Sequence, residues 1–588
     1  MKTFLKMLLA TILGGAILLF IGFIILASFA SLANKEVVIE KGSVLTINLN
    51  NVIYERADDN PFGAFNPLSQ EPSFPLGLND ILASLKTAAN DDNIVGVYLK
   101  GGIPMTGNAT LEEIRNALRT FRESGKFVYS YSEIMTQKGL FLTSEADSIF
   151  MNPEGFFEWN GLNASVTYYK DALDKIGVKP VVLRATGNKY KSAVEPFLRQ
   201  DMSPENEKQL SDLIGSVWGD YLAEISKSRN LDANTLNTLA DSMAITSPIT
   251  AAKNGLIDAP LYEDEVLNLM LPATGKDDIK DIDFVSVHTY ASDAKLGKGG
   301  YNDNKIAVVI AQGDIVSGKG SEYQIGSERI AEAIRKARKN DKVKAIVLRV
   351  NSPGGSALAS EVIWREVDLA RKEKPVVASM GSVAASGGYY ISCFADTIVA
   401  QPTTVTGSIG AFGLFFTAEE LMHNTLGVNI ENVKTNKYSD LGTIDRTLTA
   451  SEMRMLIRQV DQVYGTFKKR VAEGRGFTEE YVDSIGGGHV YSGRDALELG
   501  LVDALGGLED AIQIAKNMAN IQGSEYRVVE YPELEDPFVR LMKQINGDFE
   551  AKLIKEKLGP YAKYIDMAEN AKTMQGYQTH LGYDLTID

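Results

Sequence analysis

The residues of this chain best suited to chemistry are a serine backed by two glycines, a Ser-Pro-Gly-Gly turn and one lysine. Ser386 stands in Val376-Val-Ala-Ser-Met-Gly-Ser-Val-Ala-Ala-Ser-Gly-Gly-Tyr-Tyr-Ile391. The stretch opens as an apolar strand over 376–380, passes through small residues, and from 389 reads as the start of a buried helix. A serine at a strand-to-helix turn projects its hydroxyl outward above a helix N-terminus. Gly387 and Gly388 let a substrate backbone come close. Those are the needs of a nucleophile, although a tight turn built only for close packing would use the same residues.

A nucleophile needs an oxyanion site and a base. Arg349-Val-Asn-Ser-Pro-Gly-Gly-Ser356 ends a second apolar strand. Glycines past a strand end have N–H groups free of the ladder. One from Gly354 or Gly355, together with that of Gly387, would hold the oxyanion of a tetrahedral intermediate. The pattern leaves the choice between Gly354 and Gly355 open. The histidines are His288, His423, His489 and His580, and none lies near these turns; His423 sits in a helical Leu-Met-His run. A lysine can take a serine's proton if burial keeps it neutral. Lys191, in Asn188-Lys-Tyr-Lys-Ser-Ala-Val-Glu-Pro-Phe197, is the expected base, with Lys437 as the alternative.

The elements that must position these groups occur twice. Residues 94–147 align on 343–396 without a gap, at a constant offset of 249. Ile94-Val-Gly-Val-Tyr-Leu99 lies over Val343-Lys-Ala-Ile-Val-Leu348, and Phe127-Val-Tyr-Ser over Val376-Val-Ala-Ser. Further on, Gly255-Leu-Ile-Asp lies over Gly500-Leu-Val-Asp. Apolar strands alternating with helical patterns predict α/β units with parallel sheets and right-handed crossovers. We place the first copy at 40–275, a linker at 276–302, the second copy at 303–525, and a helical tail at 526–588 with its clearest periodicity at 537–557. The copies differ where it matters. Ser386 faces Gln137, Gly387 faces Lys138, and Gly354 and Gly355 face Met105 and Thr106. Small residues needed for packing alone would persist in both copies. Lys191 in turn faces Ser439, so lysine and serine are divided between the copies, which implies one site assembled from both.

Composition narrows the function class. At 588 residues the chain is too long for one core. A net charge of -16 without a basic stripe argues against nucleic-acid binding. A single cysteine, Cys393, allows no intrachain disulfide, and no histidine has metal-ligand spacing, so neither a metal site nor a cofactor is expected. Residues 7–34 carry no charge, and Lys2 and Lys6 precede them. That pattern predicts a transmembrane anchor at 7–33 with the bulk of the chain outside the cytoplasm. A cleavable signal peptide is the rival reading.

The chain resembles the long, tandem-repeat form of the signal peptide peptidase A family, membrane-bound bacterial serine peptidases with Clp/crotonase-like domains. Ala385-Ser-Gly-Gly-Tyr-Tyr390 resembles the family's nucleophile motif, Tyr190-Lys-Ser-Ala-Val-Glu-Pro-Phe197 its base segment, and Ser352-Pro-Gly-Gly355 its oxyanion loop. The resemblance implies a Ser386–Lys191 dyad and a second serine, Ser408 in Thr406-Gly-Ser-Ile-Gly410, that orients the lysine. It further implies cleaved signal peptides as substrates, a homo-oligomer (a tetramer), and a single-pass location in the bacterial inner membrane with the catalytic part periplasmic. A crotonase-like thioester enzyme or a membrane-anchored scaffold is the reading from another class. It requires no nucleophile at Ser386.

Overall fold

Strands such as Val343–Ser352 are buried along most of their length. A strand apolar on both faces needs cover on both sides, and helical crossovers that supply it make neighbouring strands parallel. The computed structural model describes residues 13–15, 39–57, 75–293, 304–523, 526–534 and 576–580. Among them each copy has its own sheet. The first runs Ala259–Pro260, Ser148–Phe157, Phe127–Met135, Ile94–Lys100, Ser43–Asn48, Phe284–Ser286, parallel throughout. The second runs Val490–Ser492, Val405–Gly407, Val376–Ala385, Val343–Ser352, Lys305–Gln312, Arg527–Tyr531, with only Val490–Ser492 antiparallel to its neighbour. The helices Asn108–Arg122 and Ala357–Arg371 begin at the same sequence offset as the strands they follow.

Each sheet extends past the limits read from the sequence. Phe284–Ser286 falls inside the stretch taken for a linker, and Arg527–Tyr531 inside the tail. They occupy equivalent edges, beside Ser43–Asn48 and Lys305–Gln312. At 3 and 5 residues these strands are too short to carry a readable apolar periodicity. The helical pattern at 537–557 lies outside the described residues; the described parts of the tail include two strands, Arg527–Tyr531 and Gly576–His580. The expected anchor at 7–33 also lies outside them, apart from 13–15. Among the described residues no helix is long and apolar enough to cross a membrane.

A third sheet joins the copies. Its order is Ile325–Gly326, Ile315–Val316, Gly354–Ser356, Gly576–His580, Phe412–Thr417, Lys179–Arg184. Lys179–Arg184 leaves the first copy and runs antiparallel to Phe412–Thr417, with Leu183 buried in the second copy's core. A buried ion cluster also ties the copies together. Arg349 is fully buried, its Nε 2.7 Å from Glu55 Oε2 and its Nη2 paired with Glu113. Asn351 Nδ2 donates to Glu55 Oε1 at 2.8 Å, and Leu508 N donates to Glu113 Oε2 at 2.7 Å. Charges removed from water persist only when so paired.

Candidate active site

Ser386 ends the strand Val376–Ala385 and caps the helix Gly387–Ser392. Its backbone is at φ 55°, ψ -113°, a conformation a serine rarely adopts. Such strain costs about 1–3 kcal/mol and survives only where the surroundings impose it. Here they do: Ser386 N donates to Gly407 O at 2.8 Å, and Tyr390 N donates to Ser386 O at 2.8 Å.

Lys191 arrives from the other copy. After the crossing strand, its segment wedges between two loops of the second copy. Asn188 Nδ2 donates to Ala411 O at 2.8 Å, and Tyr190 N donates to Gly487 O at 2.9 Å. Lys191 Nζ then lies 2.7 Å from Ser386 Oγ, 2.8 Å from Ser408 Oγ and 3.1 Å from Ser408 O. The lysine is fully buried, and burial holds its pKa well below the ordinary lysine value. A neutral amine fits this environment: two N–H groups for the two Ser408 oxygens, and a lone pair for the Ser386 hydroxyl. Ser408 has its own positive φ of 50°, and its N–H donates to His489 O at 2.6 Å.

The glycine turn closes the site from the side. Gly354 and Gly355 have φ of 107° and 153°. A Cβ built on Gly354 would lie 2.8 Å from Gly387 N, whereas one on Gly355 would lie 2.1 Å from Ile315 O. Gly354 thus faces Gly387, and Gly355 faces the neighbouring strand. Gly354 N itself donates to Ser352 Oγ at 3.1 Å.

The structure brings Ser386, Lys191, Ser408, Gly387 and the Gly354/Gly355 turn together. Lys437 stands apart: it is exposed, its Nζ 5.1 Å from the centroid of the Tyr438 ring. His423 is likewise exposed, in the short turn Leu421–Thr425. In the first copy, Gln137 sits at the place matching Ser386. Its amide donates to Gly161 O at 2.9 Å and accepts from Gly161 N at 2.7 Å, so it ties a loop rather than facing a cleft. Sequence reasoning missed Gly488. A Cβ there would lie 2.6 Å from the Lys191 backbone, so only glycine lets the base segment seat. The run Gly486-Gly-Gly488 was the available signal.

The family model of peptidase family S49 matches residues 120–274 and 368–522, one match in each copy. The chain belongs to peptidase family S49. "Protease 4" of Salmonella typhi is 37% identical over 471 residues, covering 78% of this chain and 74% of that protein. "Serine protease SPPA, chloroplastic" of Arabidopsis thaliana is 33% identical over 516 residues, 87% of this chain and 74% of that one. "Putative signal peptide peptidase SppA" of Enterococcus faecium is 30% identical over 236 residues, 39% of this chain and 67% of that one. This S49 protein is therefore a serine peptidase with tandem α/β domains, as the motifs implied.

Proposed function

We propose that this peptidase works through a Ser386–Lys191 dyad and degrades signal peptides left in the membrane after their release from secreted proteins. The observation that carries the dyad is the 2.7 Å approach of a buried amine to Ser386 Oγ. Neutral Lys191 takes the hydroxyl proton as Oγ attacks the scissile carbonyl. The Gly387 N–H and one from the Gly354/Gly355 turn stabilise the oxyanion. Lysinium protonates the leaving amine, and water then hydrolyses the acyl-enzyme with Lys191 again as base. Ser408 supplies two oxygens that fix the rotation of the amine.

The substrate reading draws support from the relative named a signal peptide peptidase and from the charge-free run at 7–34, which would place the site beside the bilayer as a single-pass periplasmic enzyme. Parallel sheets with crossover helices support the Clp/crotonase-like assignment for each copy. Exposed Leu426, Val428, Ile430 and Val433 support assembly with further copies, a tetramer by resemblance. The test is cleavage of a synthetic signal peptide in lipid vesicles by the full-length enzyme, followed by chromatography. Wild type is expected to cut within the apolar stretch, and Ser386→Ala to lose at least about 10³-fold in rate. An unchanged rate in Ser386→Ala would return the site to a thioester-type role.

A further inference from the structure

The overall charge of -16 conceals one basic patch, which stands out when the two copies are overlaid. At the offset of 249, Arg335-Lys-Ala-Arg-Lys-Asn-Asp-Lys-Val-Lys344 lies over Lys86-Thr-Ala-Ala-Asn-Asp-Asp-Asn-Ile-Val95. The second copy has six cations and one acid there; the first has one cation and two acids. Arg371-Lys-Glu-Lys374 lies over Arg122-Glu-Ser-Gly125, again with the excess of cations in the second copy. Charges that the fold itself required would stand in both.

The structure gathers the two runs at one end of the second sheet. The helices Ser327–Lys339 and Ala357–Arg371 finish side by side, just before the strands Val343–Ser352 and Val376–Ala385. Arg338 Nη1 lies 2.5 Å from Glu373 Oε1, and Lys374 Nζ donates to Asn340 O at 2.6 Å. Cations suit helix C-termini, yet that role needs few of them. In the first copy it falls to Lys126, whose Nζ donates to Ala88 O and Asp91 O, both at 2.6 Å. Lys374 is the counterpart in the second copy, and the remaining cations go beyond it. Arg335, Lys336, Lys339, Lys342, Lys344 and Lys372 are exposed. Some pair with acids, Lys336 with Glu332 at 3.1 Å and Lys372 with Asp368 at 2.8 Å. Surface pairs of this kind are weak and leave the cations available.

This is also the end at which the chain enters each sheet. Gly42 N donates to Asn93 O at 3.0 Å, and Lys305 N donates to Lys342 O at 2.7 Å. In the first copy the entering chain follows closely on the charge-free run at 7–34. The sheet end next to the expected anchor in the first copy therefore corresponds to the basic end of the second.

We infer that the basic end of the second copy rests on anionic phospholipid headgroups, an electrostatic membrane contact separate from the anchor. The inference rests on the membrane reading proposed above. Ammonium and guanidinium groups take phosphodiester oxygens as charge-assisted acceptors. Clustered cations hold a protein to an anionic leaflet in this way, and salt weakens the attachment. The rest of the chain is more acidic than its total, so such a surface attracts this face and repels the others.

The test uses the full-length enzyme in vesicles of phosphatidylcholine alone or mixed with phosphatidylglycerol. Flotation reports attachment, and acetylation of each lysine is followed by mass spectrometry. Lys336, Lys339 and Lys342 are expected to label several-fold more slowly with phosphatidylglycerol present, and to recover at about 1 M salt, where the Debye length is about 3 Å. Exposed Lys208, on the helix Pro204–Arg229, should label alike in both. In the double variant Lys339→Glu, Lys342→Glu, the protection of Lys336 should be lost. Equal labelling in both vesicles would overturn this inference, and flotation with phosphatidylcholine would still leave the anchor standing. Flotation with phosphatidylglycerol only, with these lysines protected, would keep the inference and remove the anchor. Flotation with neither would remove both. Equal protection in phosphatidylcholine vesicles by soluble polyglutamate or duplex DNA would make the patch a general anion surface and overturn its assignment to the bilayer.

Discussion

An ammonium group without a counter-ion is costly to bury, and Lys191 is fully buried. Burial depresses its folded-state pKa, so between that value and its unfolded value the unfolded chain binds more protons. The lysine's penalty to stability therefore shrinks as pH rises through that window. Replacement by Met should raise the thermal midpoint at neutral pH, by less as pH approaches about 10.4, while peptidase rate falls about 10²–10⁴-fold. Wild-type kcat/KM should rise with pH through the depressed pKa and then level off. A rise that continued to the ordinary lysine value would show that Lys191 titrates as a solvated amine. Gly488→Ala tests the seat of the base. With φ at +88° and backbone 2.6 Å away, the new methyl must displace Lys191, so kcat should collapse while far-ultraviolet circular dichroism stays the same. Ser386, Lys191 and the glycine turn were legible because each stands in a motif whose residue types imply chemistry. Gly488 was not, because its role exists only where the two copies meet.

The crossing strand Lys179–Arg184 is the element that carries the lysine to the serine. It is held by its ladder with Phe412–Thr417 and by Leu183 in the second copy's core. Leu183→Ala should cost about 2–5 kcal/mol in urea unfolding and slow labelling of Ser386 at the same time. Stability lost with labelling unchanged would mean that other contacts hold Lys191. Central strands and their helices could be read from sequence because they are long, apolar and repeated at one offset. Phe284–Ser286, Arg527–Tyr531 and Gly576–His580 could not, since their pairing is set by distant partners rather than by their own periodicity. The same is true of the third sheet, whose strands come from both copies and the tail.

At the scale of the whole molecule, the two similar domains differ at complementary positions. The first has Gln137 where the second has Ser386, and the second has exposed Ser439 where the first has buried Lys191. Their relative placement therefore matters to chemistry. The Glu55–Arg349–Glu113 cluster spans the two copies, and its Arg349 stands on the strand that leads to Asn351 and the glycine turn. Arg349→Ala would leave two carboxylates buried without a cation, at a cost of about 3–5 kcal/mol, seen as a lower denaturant midpoint. Mass spectrometry after a fluorophosphonate probe, on wild type, Lys191→Ala and Lys437→Ala, tests the shared site most directly. An adduct on Ser386 that disappears with Lys191→Ala and persists with Lys437→Ala is the predicted result. No adduct on Ser386 in active wild-type enzyme, or one that survives Lys191→Ala undiminished, would contradict the account.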